Sequence, residues 1–311
     1  MKIGHVDLDT SHPSSWIPIE REKGHEVVGV WDGGSVHPPG YAKTFAGEHD
    51  IPRVFESLEE MASEVDCAII HSCDWDTHVE KARPFIDAGN AVLIDKPVAG
   101  NVRDLRQFQA WAAQGARVTG GSALRFCREV REWLSLPLAE RGRPHTVFCG
   151  CAVDEFNYGI HAYSMLSGIM GPGLQCVRHL GTGVQRRIQA AWDDGQMGFL
   201  AIGRLEGWLP FYGTIVTEKA ATLLPVDHNQ LYRALLDATL PYLAGETAIA
   251  PVPMDDLIEP ELAAIAARKS WLGGDGWVRL DELQESDEGY HGAAFAEEYK
   301  STKYSPQSSQ P

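Results

Sequence analysis

The sequence of 311 residues has little positive charge and no long apolar run. Lysine and arginine number 27 against 43 aspartates and glutamates, which gives a formal net charge of −16. A surface this acidic repels phosphate backbones and anionic lipids. Apolar runs such as Cys67–Ile70 and residues 91–94 fall far below the roughly 20 residues that span a bilayer. We therefore expect no nucleic-acid partner and no membrane partner.

The six cysteines include no Cys-x-x-Cys pair, and most of them lie inside apolar stretches. In a chain of this length, that pattern is typical of reduced thiols rather than of a disulfide framework. Asp7 and Asp9 occupy the region where a signal peptide would need an apolar centre. We therefore expect a cytoplasmic protein. A Gly-x-Ser-x-Gly elbow is also missing, which leaves a serine hydrolase with little support.

The first part of the chain alternates short β-branched runs with amphipathic segments. We predict strands at residues 2–6, 26–31, 53–55, 65–71, 91–94 and 116–119. We predict helices at residues 57–64, 77–88 and 102–113. Strands and helices that alternate at this spacing indicate an α/β domain with a doubly wound parallel sheet.

The pattern changes after the sixth strand. We predict further strands at residues 146–153, 174–181, 184–192, 198–205 and 213–217, and helices at residues 159–170, 227–244 and 255–270. Consecutive strands without intervening helices favour an antiparallel sheet, and hence an α+β second domain. We place the two domains at residues 1–121 and 122–300. Residues 301–311 are polar, and we expect them to be disordered.

The turn after the first strand lacks the glycines that a dinucleotide-binding sheet uses there. The three glycine positions carry Asp7, Asp9 and His12, although backbone must approach a pyrophosphate closely at such a turn. Two carboxylates would face the diphosphate and repel it. Thr10 and Ser11 could still cap the next helix and donate hydroxyl hydrogen bonds. Helix capping by Asp9 or Thr10 explains one of these residues equally well, but it does not explain Asp7.

Two other features bear on ligands. Asp32 ends the second strand, where an acidic residue holds the ribose of NAD and disfavours NADP; an Asp-Gly-Gly turn accounts for it equally well. Imidazoles and carboxylates are ligands of zinc, manganese and iron. We do not predict a metal site, but a minor alternative is a cluster of His5, Asp7, His12 and His71.

Three later stretches resemble the Gfo/Idh/MocA family, which is named after glucose–fructose oxidoreductase and inositol dehydrogenase. Asp95-Lys96-Pro97 resembles the family's Glu-Lys-Pro signature, and Gly159-Ile160-His161 resembles its Gly-x-His motif. Residues 264–270, with Trp277 and Asp281 beyond them, are similar to its C-terminal helix and edge strand. The resemblance implies a Rossmann-like domain followed by an open, mostly antiparallel sheet. It also implies NAD(P)-dependent hydride transfer on a sugar, a cyclitol or a related polyol.

The resemblance also implies roles for individual residues. Lys96 matches the lysine that positions or polarises the reacting oxygen, and His161 matches the usual general acid/base. The family often has aspartate four residues before and three residues after that histidine, where this chain has Asn157 and Ser164. We therefore predict Lys96, His161 and Asn157 as catalytic, with Asn157 orienting the substrate. The predicted substrate contacts are Arg125, Tyr158 and Ser164, and the predicted cofactor contacts are Asp9, Thr10, Ser11, His12, Asp32, Ser72 and Lys96.

The sequence thus predicts an NAD(P)-type oxidoreductase, with NAD preferred over NADP. Two alternatives stay open because of the altered glycine positions. One is a non-redox lyase, isomerase or hydrolase on the same scaffold, with or without a metal; the other is a non-catalytic member that has lost its cofactor. We also expect a homo-oligomer, a dimer or a tetramer, formed through the C-terminal sheet, because an open sheet left uncovered promotes aggregation.

Overall fold

The computed structural model describes residues 1–207 and 209–304, and it confirms the predicted fold class. The first domain is built on a parallel sheet whose strands are β1 (Lys2–Val6), β2 (Glu26–Trp31), β3 (Arg53–Val54), β4 (Cys67–Ile70), β5 (Ala91–Asp95) and β6 (Val118–Gly121). Its helices are α1 (His12–Glu22), α2 (Tyr41–Glu48), α3 (Leu58–Ala62), α4 (His78–Asp87) and α5 (Val102–Ala113).

The strand order of the first sheet is β3-β2-β1-β4-β5-β6, with every neighbouring pair parallel. The order reverses between β1 and β4, and ligands of such sheets bind beyond the carboxyl ends of the strands at that point. β4 and β5 are buried along their whole length, as expected for strands with helices on both faces. Gly120 is required in β6 because an added Cβ would lie 1.9 Å from the carbonyl oxygen of Ile94.

The second domain contains a seven-stranded mixed sheet in the order β12-β11-β7-β10-β9-β8-β13. Its strands are β7 (Pro144–Gly150), β8 (Leu174–Thr182), β9 (Arg186–Trp192), β10 (Met197–Ile202), β11 (Tyr212–Thr217), β12 (Ala221–Pro225) and β13 (Val278–Arg279). All neighbouring pairs are antiparallel except β7 with β10. The sheet is therefore open and mostly antiparallel, as the resemblance implied.

Helices cover one side of this sheet and link it to the first domain. They are α6 (Arg128–Ser135), α7 (Leu138–Arg141), α8 (Gly159–Met170), α9 (Leu231–Leu243), α10 (Met254–Leu257), α11 (Glu259–Leu272) and α12 (Gly292–Tyr304). The single helix predicted at residues 255–270 is instead two, α10 and α11. α8 and α11 pack on the sheet, whereas α9 packs against α1 and the ends of β5 and β6.

The predicted disordered tail is wrong for residues 301–304, which form the last turn of α12. Phe295 and Ala296 pack on Val36 and Cys73 of the first domain, with Tyr299 beside them. These apolar residues form one face of α12. The polar composition of the whole segment concealed this face in the sequence. Residues 305–311 lie outside the described residues. None of the described helices is long and apolar enough to cross a membrane.

Candidate functional site

A cavity of about 210 Å³ lies where the carboxyl end of β5 meets α8 and α9. Side chains of both domains line it. They are His12, Asp95, Lys96, Ala123, Tyr158, His161, Phe211, His228, Leu231, Tyr232 and Leu235. The structure thus brings the predicted residues Lys96, His161 and Tyr158 into one enclosed space with His12.

Lys96 connects the two domains at this cavity. Its Nζ donates to Oδ1 of Asn157 at 2.8 Å and lies 3.2 Å from the Asn157 carbonyl oxygen. The ammonium group also lies 5.5 Å from the ring centre of Tyr158. The partner of Lys96 is a neutral amide rather than a carboxylate, so this contact is not an ion pair.

His161 lies at the first turn of α8, with its side chain half-buried at the cavity. Nδ1 is 2.7 Å from the Ser122 hydroxyl, which follows β6. Burial, together with the nearby ammonium of Lys96, holds the pKa of His161 well below its ordinary value. The ring is therefore neutral at neutral pH, and it can take part in hydrogen bonds as a neutral donor or acceptor.

The other side of the cavity opens onto a line of hydrogen-bonded side chains. Asp95 Oδ2 accepts from His12 Nδ1 at 2.5 Å and from His71 Nδ1 at 3.0 Å. His71 Nε2 lies 3.0 Å from His5 Nδ1, and His5 Nε2 lies 2.9 Å from Glu20 Oε2. Burial opposes ionisation of Asp95, yet the two imidazoles outweigh it and hold the pKa of Asp95 well below its usual range.

Of the four residues in the alternative metal cluster, the three histidines lie near one another and Asp7 lies apart. His12 and His71 converge on Asp95, and His5 contacts His71, while Asp7 lies in a separate network. One nitrogen each of His12 and His71 and one Asp95 oxygen lie within 4.8 Å of one another. Their direct contacts of 2.5 and 3.0 Å are hydrogen-bond distances.

Asp7 does not face the nucleotide side of the loop, which corrects the expected repulsion. Its carboxylate points inward and accepts from Gly33 N at 2.9 Å, from Lys81 Nζ at 2.5 Å and from the Ser72 hydroxyl. Asp7 has a φ of +59°, a left-handed conformation that aspartate tolerates better than most residues. A buried ion pair therefore takes the place of the first glycine.

Asp9 and its neighbours form the rest of the loop. Asp9 Oδ2 accepts from Cys73 N at 2.7 Å, while the buried Oδ1 has no hydrogen-bond partner among the described residues. Burial, with Asp7 nearby, raises the pKa of Asp9 to about 7. Thr10 Oγ1 accepts from the backbone N–H of His12, and Ser11 is the N-cap residue of α1 without a side-chain cap bond.

The C-terminal helix α12 covers this loop from the outside. Lys303 Nζ donates to the Asp9 carbonyl oxygen at 2.9 Å, and the Tyr304 hydroxyl lies 2.5 Å from His37 Nδ1. α12 thereby lies between the loops that follow β2 and β4. Asp32 accepts from Gly34 N at 2.9 Å, so the Asp-Gly-Gly turn is present and the carboxylate remains half-buried beside α12.

Two predicted substrate residues do not line the cavity. Arg125 is held in the interior, where Nη1 donates to Ser167 Oγ and to the Asp256 carbonyl oxygen. Ser164 is buried within α8. Arg125 therefore has a structural role, because its partners belong to α8 and α10.

Sequence reasoning missed four important side chains. Asp95 was noticed only as part of a motif, although it anchors His12 and His71. Glu20, Lys81 and Lys303 carry no local signal, because their partners are 15 to 294 positions away. The available clue was that Glu20 and Lys81 lie on the buried faces of α1 and α4, where apolar residues are expected. A charged residue at such a position needs a buried partner.

Residues 11–120 match the Gfo/Idh/MocA family model, described as an oxidoreductase family with an NAD-binding Rossmann fold. The trans-1,2-dihydrobenzene-1,2-diol dehydrogenase of Bos taurus is 33% identical over 89 residues, which are 28% of this chain and 25% of that protein. The YceM protein of Salmonella typhimurium is 31% identical over 117 residues, which are 37% of this chain and 36% of that protein. The matched segments thus span a quarter to a third of these relatives.

Solved structures match nearly the whole chain at low identity, which shows the fold. The scyllo-inositol dehydrogenase of Lactobacillus casei with NAD(H) and scyllo-inositol gives a TM-score of 0.74 at 15% identity, covering 91% of this chain and 99% of that one. The UDP-N-acetylglucosamine 3-dehydrogenase of Acidithiobacillus ferrooxidans gives 0.71 at 16%, covering 87% and 97%. Residues 11–120 thus resemble the Gfo/Idh/MocA oxidoreductase family, and the overall fold of the chain is that of these dehydrogenases.

Proposed function

We propose that the protein is an oxidoreductase that moves a hydride between a nicotinamide dinucleotide and a sugar, a cyclitol or a related polyhydroxylated compound. The observation that carries the proposal is the convergence of Lys96, His161 and His12 on one cavity at the carboxyl end of β5. The family of the first domain supports the redox class. The structural neighbours that bind inositols support the substrate class.

In this proposal Lys96 binds the reacting oxygen. Its ammonium, held by Asn157, polarises a carbonyl or stabilises the negative charge that develops on an alcohol oxygen. His161 stays neutral and orients a second hydroxyl group of the substrate. Tyr158 supplies an aromatic wall on which an apolar sugar face can stack. Asn157 thus acts on the substrate chiefly through Lys96.

The loop after β1 fits a dinucleotide better than its sequence suggests. The charge of Asp7 is paired with Lys81, and Asp9 is about half protonated at neutral pH. Thr10 and Ser11 would hold the phosphates, and Asp32 would hold the ribose and favour NAD over NADP. Bound nicotinamide supplies the acceptor or donor of the hydride. Because α12 lies over this loop, the cofactor enters only when α12 moves aside.

Calorimetric titration with NAD(H) and NADP(H) tests the proposal directly. We expect saturable binding of NAD(H) that is tighter than binding of NADP(H). A panel of cyclitols and sugar derivatives, followed by nicotinamide absorbance, then identifies the substrate. Absence of binding of either dinucleotide at millimolar concentration would refute the redox proposal.

A second candidate function follows from the position of α12 over the loop after β1, which carries Asp7 and Asp9. If the dinucleotide does not bind, Lys96 and the imidazoles of the cavity form a complete acid/base set for a non-redox lyase or isomerase. The same titration separates the two functions. A third possibility, a non-catalytic member, would predict that Lys96→Met leaves the cellular phenotype intact.

We also propose that the chain forms a homo-oligomer, a dimer or a tetramer, in the cytoplasm. The open side of the second sheet exposes Phe148, stacked on Phe199, and Leu223 on the edge strand β12. A second copy packed on this side would cover them. The six cysteines are free thiols, which supports a reducing compartment. Light scattering that shows a monomer at micromolar concentration would contradict the oligomer.

A further inference from the structure

Behind the cavity, Asp95, His71, His5 and Glu20 form a hydrogen-bonded chain. This chain contains one proton more than two neutral imidazoles supply. Three hydrogen bonds join Glu20 to Asp95 through His5 and His71, and each bond contains one proton. Two neutral imidazoles supply only two protons. The third is therefore an extra proton, which makes one imidazole cationic or one carboxyl group neutral.

The positions of these protons follow from the two groups nearest the cavity. Asp95 is ionised, and burial lowers the pKa of His71 to about 4, so His71 is neutral. His71 must then donate its Nδ1 proton to Asp95 and accept at Nε2 from His5 Nδ1. The extra proton lies between His5 and Glu20, both of which are fully buried.

This order also sets the protonation of His12. Because Asp95 is an acceptor, His12 donates its Nδ1 proton to Asp95, so the lone pair of neutral His12 would be on Nε2. Among the described residues, His12 Nε2 has no hydrogen-bond partner, and His12 lines the cavity. The imidazole plane is held by stacking on Trp16, with ring centres 5.6 Å apart, and by Tyr232 at 4.9 Å.

We propose that His12 is a catalytic proton carrier of this cavity, and that Asp95, His71, His5 and Glu20 are positioning residues that hold Nδ1 of His12 in its hydrogen bond and leave Nε2 facing the substrate. The proposal rests on the proposed function. In alcohol oxidation the substrate O–H bond breaks and its proton moves to Nε2. The electron pair of that bond forms the new C=O bond, while the C–H electron pair leaves as hydride to the nicotinamide.

His12 suits this role better than His161 does. The positive charge formed on His12 is stabilised by Asp95 at 2.5 Å, an aspartate–histidine arrangement that also serves serine proteases. His161 instead contacts a neutral serine and lies near the ammonium of Lys96. A second proton on His161 would therefore meet two unfavourable effects, burial and repulsion.

Nitrogen-15 NMR of the full-length protein with labelled histidine tests the proton order without a substrate. We expect His12 and His71 to be Nδ1-protonated tautomers and His5 to be protonated at Nδ1. In Asp95→Asn, the amide oxygen remains with Lys96 N, so the NH₂ group faces both imidazoles and reverses their tautomers. His12 protonated at Nε2 in the unsubstituted protein would overturn the proposal.

Chemical labelling and kinetics test the role of Nε2. Diethyl pyrocarbonate, which modifies unprotonated imidazole nitrogens, should label His12 readily, and Asp95→Asn and Glu20→Gln should slow that labelling. With a substrate found, His12→Gln should lower kcat by roughly 10²–10⁴-fold with little change in KM. Glu20→Gln should lower kcat less and should also change the His12 NMR signals.

His179→Gln is the matched control, since His179 pairs with Asp275 at 2.7 Å in the second domain, away from the cavity. It should leave labelling of His12 and turnover unchanged. Unchanged kcat in His12→Gln would overturn the proposal. Expected tautomers and labelling in a protein that binds no dinucleotide would instead refute the proposed redox function and support the assignment of His12 as the proton carrier.

Discussion

The ammonium of Lys96 lies 2.8 Å from the side-chain oxygen of Asn157 and 3.2 Å from its carbonyl oxygen, so the carboxyl end of β5 and the loop before α8 meet across these two hydrogen bonds. This contact joins the two domains at the cavity. It also directs the lysine side chain at the space where the substrate would bind.

Substitution of Lys96 should therefore affect chemistry more than folding. We expect Lys96→Met to lower kcat by about 10²–10³-fold, because it removes the cation that stabilises the developing charge on oxygen. Asn157→Asp, which keeps an acceptor for Lys96, should retain most of the activity. Steady-state kinetics measures the activity of both variants, and thermal unfolding controls for their stability. Activity of Lys96→Met within threefold of the unsubstituted protein would contradict the role of Lys96 in stabilising charge on oxygen.

The buried pair of Asp7 and Lys81 should be important for stability. We expect Lys81→Met to lower the free energy of unfolding by about 3–5 kcal/mol, because the fully buried Asp7 carboxylate would lose its charged partner. Adding Asp7→Gly should recover much of the loss, since glycine also suits the φ of +59°. Urea unfolding measures these changes. Glu132→Gln, in an exposed pair with Arg128, is the matched control and should have no measurable effect.

Asp9 should make stability depend on pH between about 4 and 7. Its pKa is raised from 3.8 to about 7, so the folded state binds a proton that the unfolded state releases in this interval. Stability therefore falls as pH rises through the interval, by at most about 4 kcal/mol. Asp9→Asn should remove this part of the pH dependence. Unfolding curves of the two proteins that run parallel from pH 4 to 7 would contradict the assignment.

Displacement of α12 should increase dinucleotide binding. Ala296 is buried against Val36 and Cys73, so Ala296→Asp would place a charge in an apolar contact and detach the helix. We expect faster hydrogen exchange in α12 and a lower Kd for NAD. Ala294→Asp, on the exposed side of the same helix, is the control. Weaker NAD binding in Ala296→Asp would show that α12 helps to hold the cofactor rather than covering its site.

Much of the fold was predictable from local patterns. Buried parallel strands such as β4 and β5 are continuous apolar runs, and α5 was predicted with its bounds. Its N-cap is Asn101, whose side chain accepts from Asp104 N. Motif spacing identified Lys96 and His161, and the structure places both on one cavity. These features depend on residues close together in the chain, where periodicity and capping act.

The sequence by itself determined the alternation of strands and helices, the acidic surface and the reactive side chains that could meet beyond β5. Only the tertiary structure decided which charges are paired and which side chains meet. It turned Asp7 inward to Lys81, joined Glu20 to His12 through three intervening residues, and laid α12 over the loop after β1. The physical reason is that a buried charge must find a partner in space. Sequence distance does not limit that choice once the chain has folded.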